Sequence, residues 1–147
     1  VKDEVYRVAL RHDLKVYVVS DGALRAAAPG RVEFVRVRQG YNAADDWIAE
    51  RVGEGDIAIT TDIPLADRCL KKGARVVAPN GRAFTEDSIG EAMAKRELMD
   101  HLRQMGAITG GPPPFVPADR SRFLARLEET IQAIRRLKSV PPGSRRE

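Results

Sequence analysis

Residues 40–67 read GYNAADDWIAERVGEGDIAITTDIPLAD, and the fold follows from how this stretch divides. Gly40 and Asn42 make a turn in which Asn42 is the candidate cap of a helix. Asp45 and Asp46 fall in its first turn, where the helix dipole favours negative charge, and Trp47, Ile48 and Val52 supply an apolar face. Gly53 and Gly55 end that helix. DIAIT, residues 56–60, is short and apolar enough to be a central parallel strand. Asp62 then caps a second helix, with Pro64 in the first turn, where a missing amide hydrogen costs nothing. Helix, strand and helix in close succession predict an α/β fold around a mainly parallel sheet. In such sheets ligands gather outside the carboxyl ends of the strands, so Asp62 stands where a site is expected.

Upstream, Val5, Val8 and Ala9 recur at helical spacing from Asp3 to about Arg11. KVYVVS, residues 15–20, is a strand running into a turn at Asp21-Gly22. The small-residue loop ALRAAAPG follows, and VEFVRV over 32–37 alternates in part, as a candidate edge strand does. Downstream, Leu65, Ala66, Cys69 and Leu70 form the inner face of the second helix, which stops at Lys71-Lys72-Gly73. Residues 75–78 read as another strand and Pro79-Asn80-Gly81 as a tight turn. From about Thr85 a longer helix turns Ile89, Ala92, Met93, Met99 and Leu102 inward and ends near Gly106. TGGPPPF, residues 109–115, is a loop that serves as a brace for the last helix or as a partner-binding arm, bracing being the simpler role; Asp119 caps that helix, in which Phe123, Leu124, Leu127, Ile131 and Ile134 face the core. The expectation is one domain over 1–138, closed by this C-terminal helix, and a disordered tail over 139–147.

Composition narrows the class. With 147 residues, 43% apolar and only 5% aromatic, the chain can bury one core built mainly from aliphatic side chains. A net charge of +4 and a pI near 9.5 suit a polyanionic partner without requiring one. Cys69 is the only cysteine, which rules out an internal disulfide and fits a reducing, cytoplasmic setting. No apolar run approaches the roughly 18 residues that a membrane helix needs.

The acids carry the candidate chemistry. Two carboxylates about 4 Å apart repel by roughly 4 kcal/mol at an effective dielectric near 20, so acids gathered on one rim call for a proton or a cation. Hard oxygen ligands suit Mg²⁺ or Mn²⁺, which can activate water and neutralise charge on a phosphodiester. Asp45 and Asp46 point about 100° apart on their helix, so one of them faces such a rim, and sequence does not choose between them. Thr60 and Thr61 can bond an acid or a phosphate. Helix capping, worth around 1 kcal/mol, explains Asp45, Asp46 and Asp62 equally well. His12 and His101 lack metal-ligand spacing, Cys69 has no paired base, and Trp47 is expected in the core unless it is exposed for stacking.

The stretch 40–85, with IGEAMAKRELMDHLRQMGAITGGPPPF (89–115) and DRSRFLARLE (119–128), resembles the bacterial YaiI/YqxD family, which is grouped with PIN-like domains. That resemblance implies a three-layer α/β/α sandwich and an acidic cluster binding Mg²⁺ or Mn²⁺ for RNA or DNA cleavage. It assigns the cluster to Asp45 or Asp46 with Asp62 and Asp67. It also favours Arg96, Arg120 and Arg122 as phosphate contacts, because they lie in matching stretches. Members of the family open with a strand and D-x-D-x-C-P ahead of a pair like Val1-Lys2, so further acids are expected upstream. Two functions follow as expectations: a metal-dependent nuclease, or a catalytically inactive PIN-like module that binds nucleic acid or a protein.

Overall fold

The computed structural model describes residues 2–20, 22, 31–38, 40, 42–106 and 116–139. The loop over 23–30 with Arg25, the turn residue Asp21, the TGGPPPF segment and the tail from 140 onward lie outside these residues. The protein is α/β and divides into two compact units, Val1–Val52 and Gly53–Glu147.

The first unit begins with α1 (Lys2–His12), which has Asp3 and Glu4 in its first turn and Arg11 and His12 in its last, matching the helix dipole at both ends. It buries Glu4, Val8 and Ala9. Asp13, at φ 54°, breaks the helix, and the Leu14 amide donates to the Ala9 carbonyl at 2.8 Å. β1 (Val16–Ser20) then pairs in parallel with β2 (Val32–Arg36), from Val16 opposite Val32 to Ser20 opposite Arg36. α2 (Ala43–Arg51) packs on β1.

Two expectations for α2 change. Asn42 does hold the N-cap position, but in the left-handed region (φ 64°) and without a side-chain cap bond. Among the residues of α2 only Ala49 is buried, whereas Trp47 and Ile48, with Val52 just beyond, are half-buried. A nine-residue helix reading AADDWIAER has mostly small and charged side chains, so little apolar area is available to bury and only an alanine is closed off.

The second unit holds the larger core. β3 (Ile57–Ile59) pairs in parallel with β4 (Arg75–Val77), and β5 (Ala83–Phe84) returns antiparallel on β4. α3 (Ile63–Lys71) lies between β3 and β4 in the chain, and Leu65, Ala66, Cys69 and Leu70 are all buried as the spacing predicts. α4 (Glu86–Gln104) starts with a capping box in which the Thr85 hydroxyl accepts from the Ser88 amide and Ser88 returns the bond. Only Ile89 and Ala92 of its expected inner face are buried; Met93, Met99 and Leu102 are half-buried. α5 (Pro117–Ser139) buries Phe123, Leu127, Ile131 and Ile134, with Leu124 half-buried. α3 packs on α4 and on β4, and α5 packs on β4.

Asp119 has a different part from the cap expected of it. It is the third residue of α5, behind Pro117, and its carboxylate accepts from the Val116 amide at 3.0 Å, reaching back over the first turn. The Arg122 guanidinium bonds its other oxygen. The Val116 bond is the main reason its carboxyl titrates below the ordinary 3.8; desolvation opposes it, and Arg122 adds to the lowering.

Candidate acidic strand-end site

At the carboxyl end of β3 the backbone turns directly into α3. The Thr60 amide still donates to the Val77 carbonyl at 3.3 Å, prolonging the parallel ladder by one rung. The Thr60 hydroxyl then accepts from the Asp62 amide at 3.0 Å, and Asp62 Oδ1 accepts from the Leu65 amide at 2.8 Å. Asp62 is therefore a true N-cap, in extended geometry with Pro64 following, as the sequence predicts. This bond uses one carboxylate oxygen of two, on a half-buried side chain at the strand end. Thr61 is exposed beside it.

Asp67 has a different neighbour. It lies five residues on from Asp62, well around the helix axis at 3.6 residues per turn, and its Oδ2 pairs with Lys71 Nζ at 2.9 Å. The Lys71 side chain is 73% exposed, so the pair is a weak one. Thr60 and Asp62 are thus joined by a hydrogen bond, whereas Asp67 is joined to a lysine.

In the first unit, Asp45 and Asp46 both lie in the opening turn of α2. A cleft of about 300 Å³ opens where the carboxyl end of β1 meets that turn, and Val19, Ser20, Gly40, Asn42 and Asp45 help line it. Asp46 is not among the lining residues. In each unit an aspartate accordingly stands at the start of a helix beside the carboxyl end of a parallel strand.

Among the described residues no group of three or more His, Cys, Asp and Glu side chains is arranged to hold a metal ion. The donor chemistry at the β3 end is one carboxylate with neighbouring threonine hydroxyls. It does not make a closed cage, but it fits the way Mg²⁺ is bound through one or two carboxylates, with water and substrate phosphate completing the shell.

Of the basic residues, Arg96 on α4 and Arg120 and Arg122 on α5 are exposed on separate helices. Arg122 is engaged by Asp119, and its backbone forms a wall against Gly81. What residue-by-residue reading missed is a surface cluster in the first unit. Tyr17 and Trp47 meet with ring centroids 5.7 Å apart, Lys15 Nζ lies 5.4 Å from the Tyr17 ring, and the Arg51 guanidinium lies 4.4 Å from the Trp47 ring. The spacing did hold a signal: Lys15 and Tyr17 are two apart on a strand, and Trp47 and Arg51 four apart on a helix, so each pair shares a face.

Fold and site together define an α/β protein with acids at its strand ends. Residues 1–133 match the family described as Uncharacterized BCR, YaiI/YqxD family. The chain belongs to that family. It is 56% identical over 140 residues to a UPF0178 protein of Rhodospirillum centenum, covering 92% of this chain and 91% of that protein. A UPF0178 protein of Rhodopseudomonas palustris is 54% identical over 143 residues, 97% of this chain and 87% of its own length. One from Nitrobacter winogradskyi is 55% identical over 143 residues, 97% of this chain and 91% of its own length. No solved structure matches the chain. No described helix is long and apolar enough to cross a membrane.

Proposed function

We propose that this chain is a divalent-cation-dependent nuclease of the cytoplasm, acting on RNA or on DNA and built as a three-layer PIN-like sandwich. Asp62, at the β3 end, is its leading acid. The observation that carries the reading is the position of Asp62, at the carboxyl end of a parallel strand and the mouth of α3, with Thr60 bonded to it. Mg²⁺ or Mn²⁺, when bound, supplies an activated water and offsets charge on the phosphodiester. The protein's own groups hold and orient. The Asp62 carboxylate is kept in one rotamer by the Leu65 amide, Thr60 and Thr61 present hydroxyls to a phosphate, and Arg96, Arg120 and Arg122 contact the backbone beyond it.

Capping and ligation are separable at this residue. In Asp62→Asn the amide oxygen still accepts from Leu65, so stability holds within a few tenths of a kcal/mol, whereas Asp62→Ala loses about 1 kcal/mol. The full chain is incubated with labelled single-stranded RNA and Mn²⁺. Cleavage should fall by about a hundredfold or more in both variants, since the ion's contribution is several kcal/mol. Equal cleavage by wild type and Asp62→Asn would refute the nuclease. RNA binding by both, with no cleavage by either, would favour an inactive binding module.

A further inference from the structure

We propose that Tyr17 and Trp47, bracketed by Lys15 and Arg51, form a stacking platform for single-stranded nucleic acid. Aromatic residues are scarce in this chain, 5% of the total, yet two of them meet on the surface of one unit. Tyr17 is 52% exposed, on a strand whose other residues are mostly half-buried. Burying an aromatic ring is worth more than exposing one, so a tyrosine left open in water beside the only tryptophan is a ring available to a partner.

The geometry sets the kind of partner. From one end of the cluster to the other the order is ammonium, phenol, indole, guanidinium. Tyr17 is held in β1, with Lys15 just ahead of that strand, and Arg51 is pinned over the indole by donating from Nη1 to the Trp47 carbonyl at 3.2 Å. The rings are tilted by 49° rather than stacked face to face, and Tyr17 is 52% exposed, so the phenol offers a solvent-facing surface. A base stacks on such a face whatever its identity, and flanking cations receive the phosphates on either side.

Both cations have acidic neighbours, Lys15 with Glu33 at 3.3 Å and Arg51 with Glu50 at 3.8 Å. The carboxylates are 54% and 65% exposed, and ion pairs so open to water contribute little, so phosphate can displace them. A stable protein partner buries roughly 800 Å² on each side, just over half of it apolar. Besides Tyr17, the unit exposes only Leu10 among its large described hydrophobic residues. The choice of nucleic acid rests on the nuclease reading above and adds to it the strandedness of the substrate.

Trp47 is a built-in reporter. A short fluorescein-labelled oligouridylate is titrated into the full chain in EDTA, following Trp47 emission and fluorescein anisotropy together. Expected are quenching of Trp47 in step with the anisotropy, weaker binding to the matching duplex, and affinity that falls with salt. Tyr17→Leu, which keeps apolar bulk against the indole, should bind about tenfold more weakly, and Tyr17→Phe should bind like wild type. Binding that leaves Trp47 emission unchanged, or that Tyr17→Leu does not weaken, overturns the platform. So does absence of binding, which would leave the cluster to a protein partner. The two readings fail separately: cleavage of this RNA in Mn²⁺ without a Trp47 signal removes the platform alone, and quenching without cleavage removes the nuclease alone.

Discussion

Substituting Gly81 tests how α5 is seated on the β4–β5 turn. Gly81 is buried at φ +90°, and an added Cβ would stand 2.6 Å from the Arg122 carbonyl carbon, 2.7 Å from its Cβ and 2.8 Å from its carbonyl oxygen. Ordinary contacts of this kind begin at 3.4 Å. Because two of the three atoms belong to helix backbone, no rotamer relieves the clash and α5 itself must move. Three costs combine in Gly81→Ala: about 1–2 kcal/mol for a left-handed L-residue, about 1–3 for overpacking, and about 1 for the bond from Arg126 Nε to the Gly81 carbonyl. Reduced freedom of the unfolded chain returns about 0.4–1 kcal/mol, which leaves a net loss of roughly 2–5.

Two other glycines are internal controls. Gly73, at φ +86°, would meet only the side chain of Glu54, with Cγ at 2.8 Å, and that chain can swing away. Gly106, at φ +74°, has nothing within 4 Å. Its Ala variant therefore isolates backbone strain, about 1 kcal/mol net. At roughly 2–4 °C per kcal/mol, the melting midpoint should drop by about 3 °C for Gly106→Ala, slightly more for Gly73→Ala, and about 10 °C for Gly81→Ala. Far-UV circular dichroism is the right probe, since Trp47 lies in the other unit. Equal losses at all three positions would refute the wedge of α5 backbone against the turn.

The remaining predictions concern the same helix. Asp119 has its pKa lowered, first by the Val116 amide and then by Arg122, so the stability it contributes is present above 3.8 and is lost as pH falls below that value. The melting difference between wild type and Asp119→Asn should therefore be steady at neutral pH and shrink in acid below 3.8, and a difference that grows in acid would contradict the assignment. Phe123 is 0% exposed, the largest fully buried side chain, so Phe123→Ala should cost about 3–5 kcal/mol in urea titration, with a loss below 1 kcal/mol sinking the placement of α5 on β4.

What the sequence determined by itself is local. The cap at Asp62, Pro64 behind it and the buried face of α3 were all legible, because caps and periodicity act over a few residues and α3 carries both without conflict. A parallel partner for β3 followed from the intervening helix, but the order β3-β4-β5 puts β4, not β3, at the centre expected of residues 56–60. Tertiary structure decided the rest. β5 is two residues long and has no period to read, and it exists because Gly81 lets the chain return along β4 beneath α5. Asp45 rather than Asp46 lines the cleft because of the rotation at which α2, whose buried residue is Ala49, packs on β1. The same rotation moves Trp47 out of the core and against Tyr17, thirty residues earlier in the chain. Side chains that far apart in sequence meet only after loop closure, and no pattern within either segment records the register at which they do so.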